Sequence, residues 1–592
     1  MGVPRLFQWI LEKFPNYVEK INMPATSVKK VDCLHIDGNA LVHPAAQFIY
    51  KYGKYESVIF DEEIDEESFD EKMELTFNLF FNEIIKMTTI VRPQKVLFIS
   101  LDGPAPLSKQ AQQRERRFIS ATHKSTFDQN HITPGTTFSY ELNKFMECAI
   151  RKEISSNKYW KDIEVIFSPT SEPGEGEHKL MDYIRASPKA YSHCLVGPDG
   201  DLIMLALAAH RPNIFLLREN QFSRGDEIPF FYFLNFKQIR DSLIDVMGQA
   251  EFYKSGLRTV DDISNDFILL GFLVGNDFLP KIKMFYMLEQ GVELMVEQYK
   301  KLTENGTNFL TKSNKINFNS LTLFIGKLSG YELEYLIGQY YQYKERVRKA
   351  WDHEKKQELK EMQDHTLFKF LRGKAPNLSL DFDGYRKAYY NKANVKPENK
   401  INKMCSDYVK TLVWILDYYI SGLKSWTWSY DWHYPPLMID LFNYLETKSY
   451  KELSTFDKGR PSLQFEQLLS VLPPDSSTLL PKPYAKLLTD NSSPLIKKGY
   501  CPKKIHIDYE GKFVKYQGVV LLPFVHFEDI VKAYDTVTSQ IGRLKFGKVS
   551  YIRNKRGVTQ HFFYDENKCE SYAYVSQLTS IAIEVDSCVK VK

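Results

Sequence analysis

Seven acidic residues stand where a single site could collect them. Asp37 closes the run VDCLHID, and Asp102 closes KVLFISLD. Glu175 and Glu177 sit in TSEPGEGEHK, Asp199 and Asp201 in LVGPDGDLIML, and Asp277 in GFLVGNDFLP. Both acidic pairs have i, i+2 spacing, which in extended backbone puts the two side chains on the same side. Gly174, Gly176, Gly197 and Gly200 lie beside them and permit tight turns and close approach of a ligand. Carboxylates gathered without cations repel one another, and most would be protonated. Hard divalent cations relieve that repulsion, and Mg²⁺ takes oxygen ligands while keeping waters for chemistry. Two such ions side by side activate a water and stabilise the leaving oxygen of a phosphodiester. A lone Asp reads more simply as a turn residue or a helix N-cap. Seven at the ends of apolar runs weaken that simpler reading.

A second constellation follows Asp102 directly, in GPAPLSKQAQQRERRFISA. On a helix, Lys109, Gln113, Arg116 and Arg117 fall at i, i+4, i+7 and i+8, which is one face. Such a face grips a terminal phosphate by charge-assisted hydrogen bonds, with Arg supplying a planar fork. A merely exposed basic helix is the alternative.

The elements that must position these residues are legible as a rhythm. Residues 31–37, 95–102, 164–168, 193–197 and 213–217 read as buried strands. Helical patterns cover 69–89, 109–122, 138–154, 178–185 and 202–209. Alternation of this kind predicts an α/β fold with a mostly parallel central sheet flanked by helices. Ligand sites in such sheets form beyond the carboxyl ends of the strands. From about residue 331 the pattern is helical and charged, then rich in Trp and Tyr through VWILDYYISGLKSWTWSYDWHYPP. The last ninety or so residues alternate like strands, as in KIHIDYEGKFVKYQGVVLLPF. A length of 592 residues exceeds one core. We therefore expect an α/β domain over 1–330, a helical segment over 331–500 and a small α+β domain over 501–592. The acidic run DEEIDEESFDE reads as a solvated loop leading into a helix.

Composition narrows the class. Hydrophobic content of 43% and charged content of 26% are those of a globular chain. The 14% aromatic content belongs mostly to the core. Net charge is only +4, so any nucleic-acid surface must be local. Cys33, Cys148, Cys194, Cys405, Cys501, Cys569 and Cys588 form no CxxC pair, which argues against a zinc ribbon. Their scatter suits free thiols in a reducing compartment, the cytoplasm first and the nucleus second. The N-terminus is broken by Arg5, Glu12 and Lys13 and is no secretory segment. No apolar stretch is long enough to span a membrane.

In order, MGVPRLFQWI, HIDGNALVH, SLDGPAPLSKQAQQRERRF, ITPGT, SEPGEGEHKLMDYIR, GPDGDLIMLAL and ILLGFLVGNDFLP resemble the motifs of the Xrn-type 5′-to-3′ exoribonucleases. The resemblance continues through DFDGYRKAYYNK, LPPDSSTLLPKPY and KYQGVVLLPF. It implies a PIN-like α/β nuclease domain, related to flap endonucleases, with a second helical segment completing the pocket. The implied ligands of two Mg²⁺ ions, for which Mn²⁺ can substitute, are Asp37, Asp102, Glu175, Glu177, Asp199, Asp201 and Asp277. The implied 5′-phosphate pocket is Lys109, Gln113, Arg116 and Arg117. The implied stacking pair for the first base is His43 and Trp426, with Trp428 as the other candidate for the second ring. By itself His43 reads as a satisfied buried histidine. The implied partner is single-stranded RNA with a 5′-monophosphate, acted on by a monomer. Gly38 and the PDGD around Asp199 depart from the family pattern without removing a ligand. The resemblance further implies a bare catalytic core. The competing readings are a DNA-directed flap nuclease and a non-catalytic RNA-binding protein on the same scaffold.

Overall fold

Runs rich in apolar, β-branched and aromatic residues build the middle of a two-faced sheet. In the computed structural model these runs are strands. The structure describes residues 6–23, 28–55, 68–122, 127–220, 230–287, 291–396, 398–447, 450–541, 553–565 and 570–576. We label the strands of the main sheet β1 (Val18–Asn22), β2 (Lys29–Asp37), β3 (Val91–Ser100), β4 (Glu164–Ser168), β5 (His193–Val196), β6 (Ile214–Glu219), β7 (Phe230–Asn235), β8 (Thr559–Asp565) and β9 (Glu570–Ser576). Their spatial order is β1-β7-β6-β5-β2-β3-β4-β8-β9. The five central strands run parallel, and the two on each edge are antiparallel. The sheet therefore crosses the boundary that the sequence suggests at residue 501. Most of the acidic run lies outside the described residues.

Seven helices matter for the site. They are α1 (Asn39–Ile49), α2 (Phe69–Ile90), α3 (Leu107–Ser120), α4 (Thr137–Ser156), α5 (Gly176–Ala186), α6 (Asp201–Ala208) and α7 (Val260–Val274). The period-2 alternation of the strands sorts the core into two layers. Leu34, Ile36, Leu97, Ile99 and Phe167 face α1, α2 and α4. Cys33, Phe98, Ile166 and Leu195 face α5, α6 and α7 on the other side. The helical segment joins this second layer through α8 (Glu398–Ile420), where Trp414 and Tyr419 are buried in the same core. Tyr419 meets Phe272 of α7 edge-on at 4.9 Å. No described helix is long and apolar enough to cross a membrane.

Register aligns the strand ends. Asp37 of β2 stands opposite Ser100 of β3, and Ser100 stands opposite Ser168 of β4. Ile36 stands opposite Val196 of β5. The segments after these residues, 101–106, 169–175 and 197–200, thus emerge side by side.

Candidate active site

Asp37 ends β2, and the backbone N–H of Asn39 donates to its Oδ1 at 3.2 Å. Asn39 also holds Asp102. Its Nδ2 donates to Asp102 Oδ2 at 3.1 Å, and the Asp102 N–H donates to Asn39 Oδ1 at 2.9 Å. Asp102 Oδ1 accepts from the Gly176 N–H at 2.7 Å, which ties the end of β3 to the positive end of α5. A Cβ on Gly176 would stand 3.2 Å from Asp37 Oδ1 and 3.4 Å from Asp102 Oδ1. The two loops are zipped by Gly103 N–H to Gly174 O at 2.8 Å and Gly174 N–H to Pro104 O at 2.9 Å. A Cβ on Gly103 would overlap Glu172 O at 1.6 Å, so only glycine permits this approach.

The basic helix packs against the carboxylates. Lys109 Nζ lies 2.7 Å from Glu175 Oε2 and 3.2 Å from Asp277 Oδ2. Arg116 reaches Asp277 at 3.7 Å. Arg117 is aimed by donation to Thr133 Oγ1 at 2.7 Å and Asn130 Oδ1 at 3.2 Å. From α8, the Tyr418 hydroxyl donates to Glu175 Oε1 at 3.0 Å, and His178 stacks on the Tyr418 ring at 3.5 Å.

A cavity of about 640 Å³ opens over these groups. Asp37, Asp102, Glu175, Glu177 and Asp199 line it, with Lys109, Gln113, Arg116 and Arg117 from α3 and His43 from α1. Asp201 and Asp277 stand behind that lining, coupled by charge to Asp199 and Lys109. Trp426 and Trp428 are not brought to it. Trp426 is 4% exposed, and its carbonyl accepts from the Leu107 N–H at 2.8 Å, which anchors the first turn of α3. Trp428 packs edge-on against Phe456 and donates Nε1–H to Thr411. Sequence reasoning missed Asn39, Tyr418, Asn130 and Thr133. The quoted motifs HIDGNALVH and ITPGT contain Asn39 and Thr133, but nothing in them marks an amide or hydroxyl as a positioning group.

Electrostatics sort the acids of the site into two groups. Burial, with Asp102 and Asp199 adding repulsion, holds the Asp37 carboxyl well above its ordinary range. Burial does the same for Glu177, against the pull of Lys109. Burial and Asp277 push Asp201 up to about 7. Burial opposes charge on Lys109 too, yet Glu175 and Asp277 outweigh it and keep the ammonium firmly protonated. Asp277 is buried as well, but Lys109 and Arg116 hold its carboxyl below the usual range. Burial lowers His43 to about 4, so its ring is neutral at pH 7. Lys109 thus neutralises Glu175 and Asp277, whereas Asp37, Asp102, Glu177, Asp199 and Asp201 have no ion pair among the described residues. Five carboxylates without a basic partner are a donor set of the kind that hard divalent cations take.

Comparison with known proteins assigns the chain to a family. Residues 1–126 and 120–220 match the family described as the XRN 5'-3' exonuclease N-terminus. Residues 258–373 and 342–587 match the Xrn1 helical domain. The chain is 29% identical over 607 residues to the human protein named 5'-3' exoribonuclease 1, covering 90% of this chain and 34% of that one. It is 29% identical over 721 residues to the Drosophila melanogaster protein named 5'-3' exoribonuclease 2 homolog, covering 98% of this chain and 75% of that one. Against 5'-3' exoribonuclease 1 of Saccharomyces cerevisiae, identity is 25% over 704 residues, covering 93% of this chain and 44% of the relative. The chain thus spans about a third to three quarters of the length of these relatives. Since both parts of the family pattern are matched in order, over residues 1–220 and 258–587, this chain belongs to the Xrn 5'-3' exonuclease family.

Proposed function

We propose that this chain hydrolyses single-stranded RNA from its 5′ end, one nucleotide at a time, and selects a 5′-monophosphate. The observation that carries the reading is one cavity shared by the carboxylate cluster and the basic face of α3. Asp37, Asp102, Glu175, Glu177, Asp199, Asp201 and Asp277 are the groups assigned to hold two Mg²⁺ ions, with Mn²⁺ able to substitute. Divalent cations, when bound, supply Lewis acidity and charge neutralisation for phosphodiester hydrolysis.

The remaining work falls to the side chains. Arg116, Arg117 and Gln113 take the terminal phosphate, and Lys109 stands between that phosphate and the carboxylates. His43 offers a neutral ring to the first base. The loop of Trp426 sets the position of α3 through its bond to Leu107. Water oxygen bonds to the phosphorus between the first and second nucleotides, and the bond to the first 3′-oxygen breaks. The first nucleotide leaves with a 3′-hydroxyl, and the shortened RNA again bears a 5′-monophosphate. The same pocket can therefore grip each new end. On this reading the enzyme acts as a monomer in a reducing compartment, consistent with Cys33, Cys148, Cys194, Cys405 and Cys501 being free thiols.

The test is degradation of 3′-labelled RNA, with and without a 5′-phosphate, in Mg²⁺. The phosphorylated strand should disappear at least about tenfold faster, given the charge-assisted contacts it alone makes. Equal rates would remove the phosphate pocket. Equal turnover of DNA of the same sequence would shift the reading to a DNA-directed nuclease. Binding without cleavage in Mg²⁺ would leave an RNA-binding protein.

A further inference from the structure

Helix α3 has a second working face. A cavity of about 610 Å³, close in size to the active cavity, opens on its other side. Ser108, Gln112, Glu115 and Ile119 line it, at i, i+4, i+7 and i+11. This row lies roughly 100° around the helix axis from the Lys109, Gln113 and Arg116 row. The helix is therefore a wall between two chambers, and Arg116 and Asp277 border both the second chamber and the phosphate grip.

The polar groups of this row are unused. Ser108 is 4% exposed and its hydroxyl has no hydrogen-bond partner. Gln112 Oε1 is buried without one. Glu115 makes no hydrogen bond or ion pair among the described residues, and burial lifts its carboxyl to about 7 against the pull of Arg116. Buried polar atoms without partners are costly, so this flank of the helix is poorly satisfied without a ligand beside it. Flat apolar surface faces it. Trp432, His433, Phe524 and Tyr516 border the same space, with His433 and Phe524 stacked at 4.4 Å. Tyr516 is 73% exposed, a large ring held in water at the rim. Lys281 and Lys512 supply positive charge. Burial, with Lys512 nearby, lowers Lys281 to about 8, and burial with Lys283 lowers Lys512 to about 7. An anion would reverse both shifts.

Rings, cations and an acceptor row together describe a nucleotide. The base is set by the acceptors. Only guanine presents two adjacent N–H donors on its Watson–Crick edge, which one carboxylate accepts side by side. We propose that this second chamber binds a guanosine 5′-phosphate. The base stacks on the Trp432, His433 and Tyr516 surface, Glu115 accepts from its edge, and Lys281 and Lys512 hold the phosphate. The site is distinct from the hydrolytic one, and Arg116 and Asp277 stand at the border between them.

Titration calorimetry of the full chain with GMP and AMP, without divalent ions, tests it. The phosphate grip also accepts a monophosphate, so the measurement uses an Arg117→Ala background to silence that site. GMP should still bind one-to-one, at least tenfold tighter than AMP. Glu115→Gln in that background should erase the guanine preference, and Lys512→Ala should weaken both nucleotides. Tyr516→Ala, at a position too exposed to disturb folding, should weaken both by several fold. Loss of all GMP binding in the Arg117→Ala protein would overturn the proposal. So would a guanine preference that survives Glu115→Gln, or unchanged binding in Tyr516→Ala.

Discussion

Asp37, Asp102, Glu175 and Asp277 are each held by a specific neighbour, and removal of a carboxylate from the site should separate binding from chemistry. Asp201→Asn keeps the shape and removes a charge that Asp277 and Asp199 already disfavour. Cleavage should fall by two to three orders of magnitude, roughly the cost of losing one electrostatic group in such a site. Binding of 5′-phosphorylated RNA in chelator should persist. Retained turnover would show that Asp201 holds no cation. Gly103→Ala makes a different case, because its added methyl collides with Glu172 O. We expect a loss of about 1–3 kcal/mol in urea unfolding and reduced cleavage, since the loop bearing Glu175 must shift away from Asp102. Unchanged stability would mean that the two loops are not locked together. That Asp37, Asp102, Glu175, Glu177 and Asp199 share one cavity was legible because they follow apolar runs that end side by side. Tyr418 was not, because its bond to Glu175 joins residues 243 apart in a stretch where aromatic residues are common.

At the scale of elements, α3 was foreseen over 109–122 and runs Leu107–Ser120, with its basic face on the cavity as periodicity required. Strands β2 and β3 begin earlier than their apolar runs because neighbours, not composition, extend the ladder. Strands β1 and β7 were missed: VEKIN is charged, and it becomes a strand only by pairing with β7 at the sheet edge. The stretch KIHIDYEGKFVKYQGVVLLPF alternates like a strand, yet only Ile507–Asp508 pairs with Val519–Val520. Its fixed point is Glu510 instead. Burial raises that carboxyl, but Lys392 at 2.6 Å and the Thr366 N–H outweigh burial and bring it down to about 2. A depressed acid stabilises the fold above its unfolded value, and that stability drains as pH falls through the folded value. Glu510→Gln should therefore lower unfolding stability by about 1–3 kcal/mol at pH 7. The gap to the parent chain should narrow between about pH 4.5 and about pH 2. A gap independent of pH would remove the ion pair from the account.

For the whole molecule, the proposed cation site ties ligand binding to folding. The unpaired carboxylates strain the cation-free protein, and Mg²⁺ at about a hundred times its dissociation constant should add roughly 2.7 kcal/mol. Thermal midpoints measured across a Mg²⁺ titration should rise, and Asp37→Asn should flatten the rise. A midpoint indifferent to Mg²⁺ in the parent chain would sink the cation site. The two-layer α/β plan was readable because strand and helix periods alternate in sequence. The edge of the sheet was not, since β8 pairs with β4 across almost four hundred residues and no local signal announces that pairing. A boundary at residue 501 follows composition, whereas the ladder follows geometry.

That late pairing has a consequence for synthesis. Glu172 accepts from Ser168 at 2.7 Å and also from the Thr559 hydroxyl, while the Gly557 N–H donates to Ser171 O at 3.0 Å. The loop leading to Glu175 is thus clasped by a hydroxyl 387 residues further along the chain. A nascent chain that has emerged only as far as the helical segment lacks the clasp, so the loop carrying Glu175 settles only after residues 557–559 have been made.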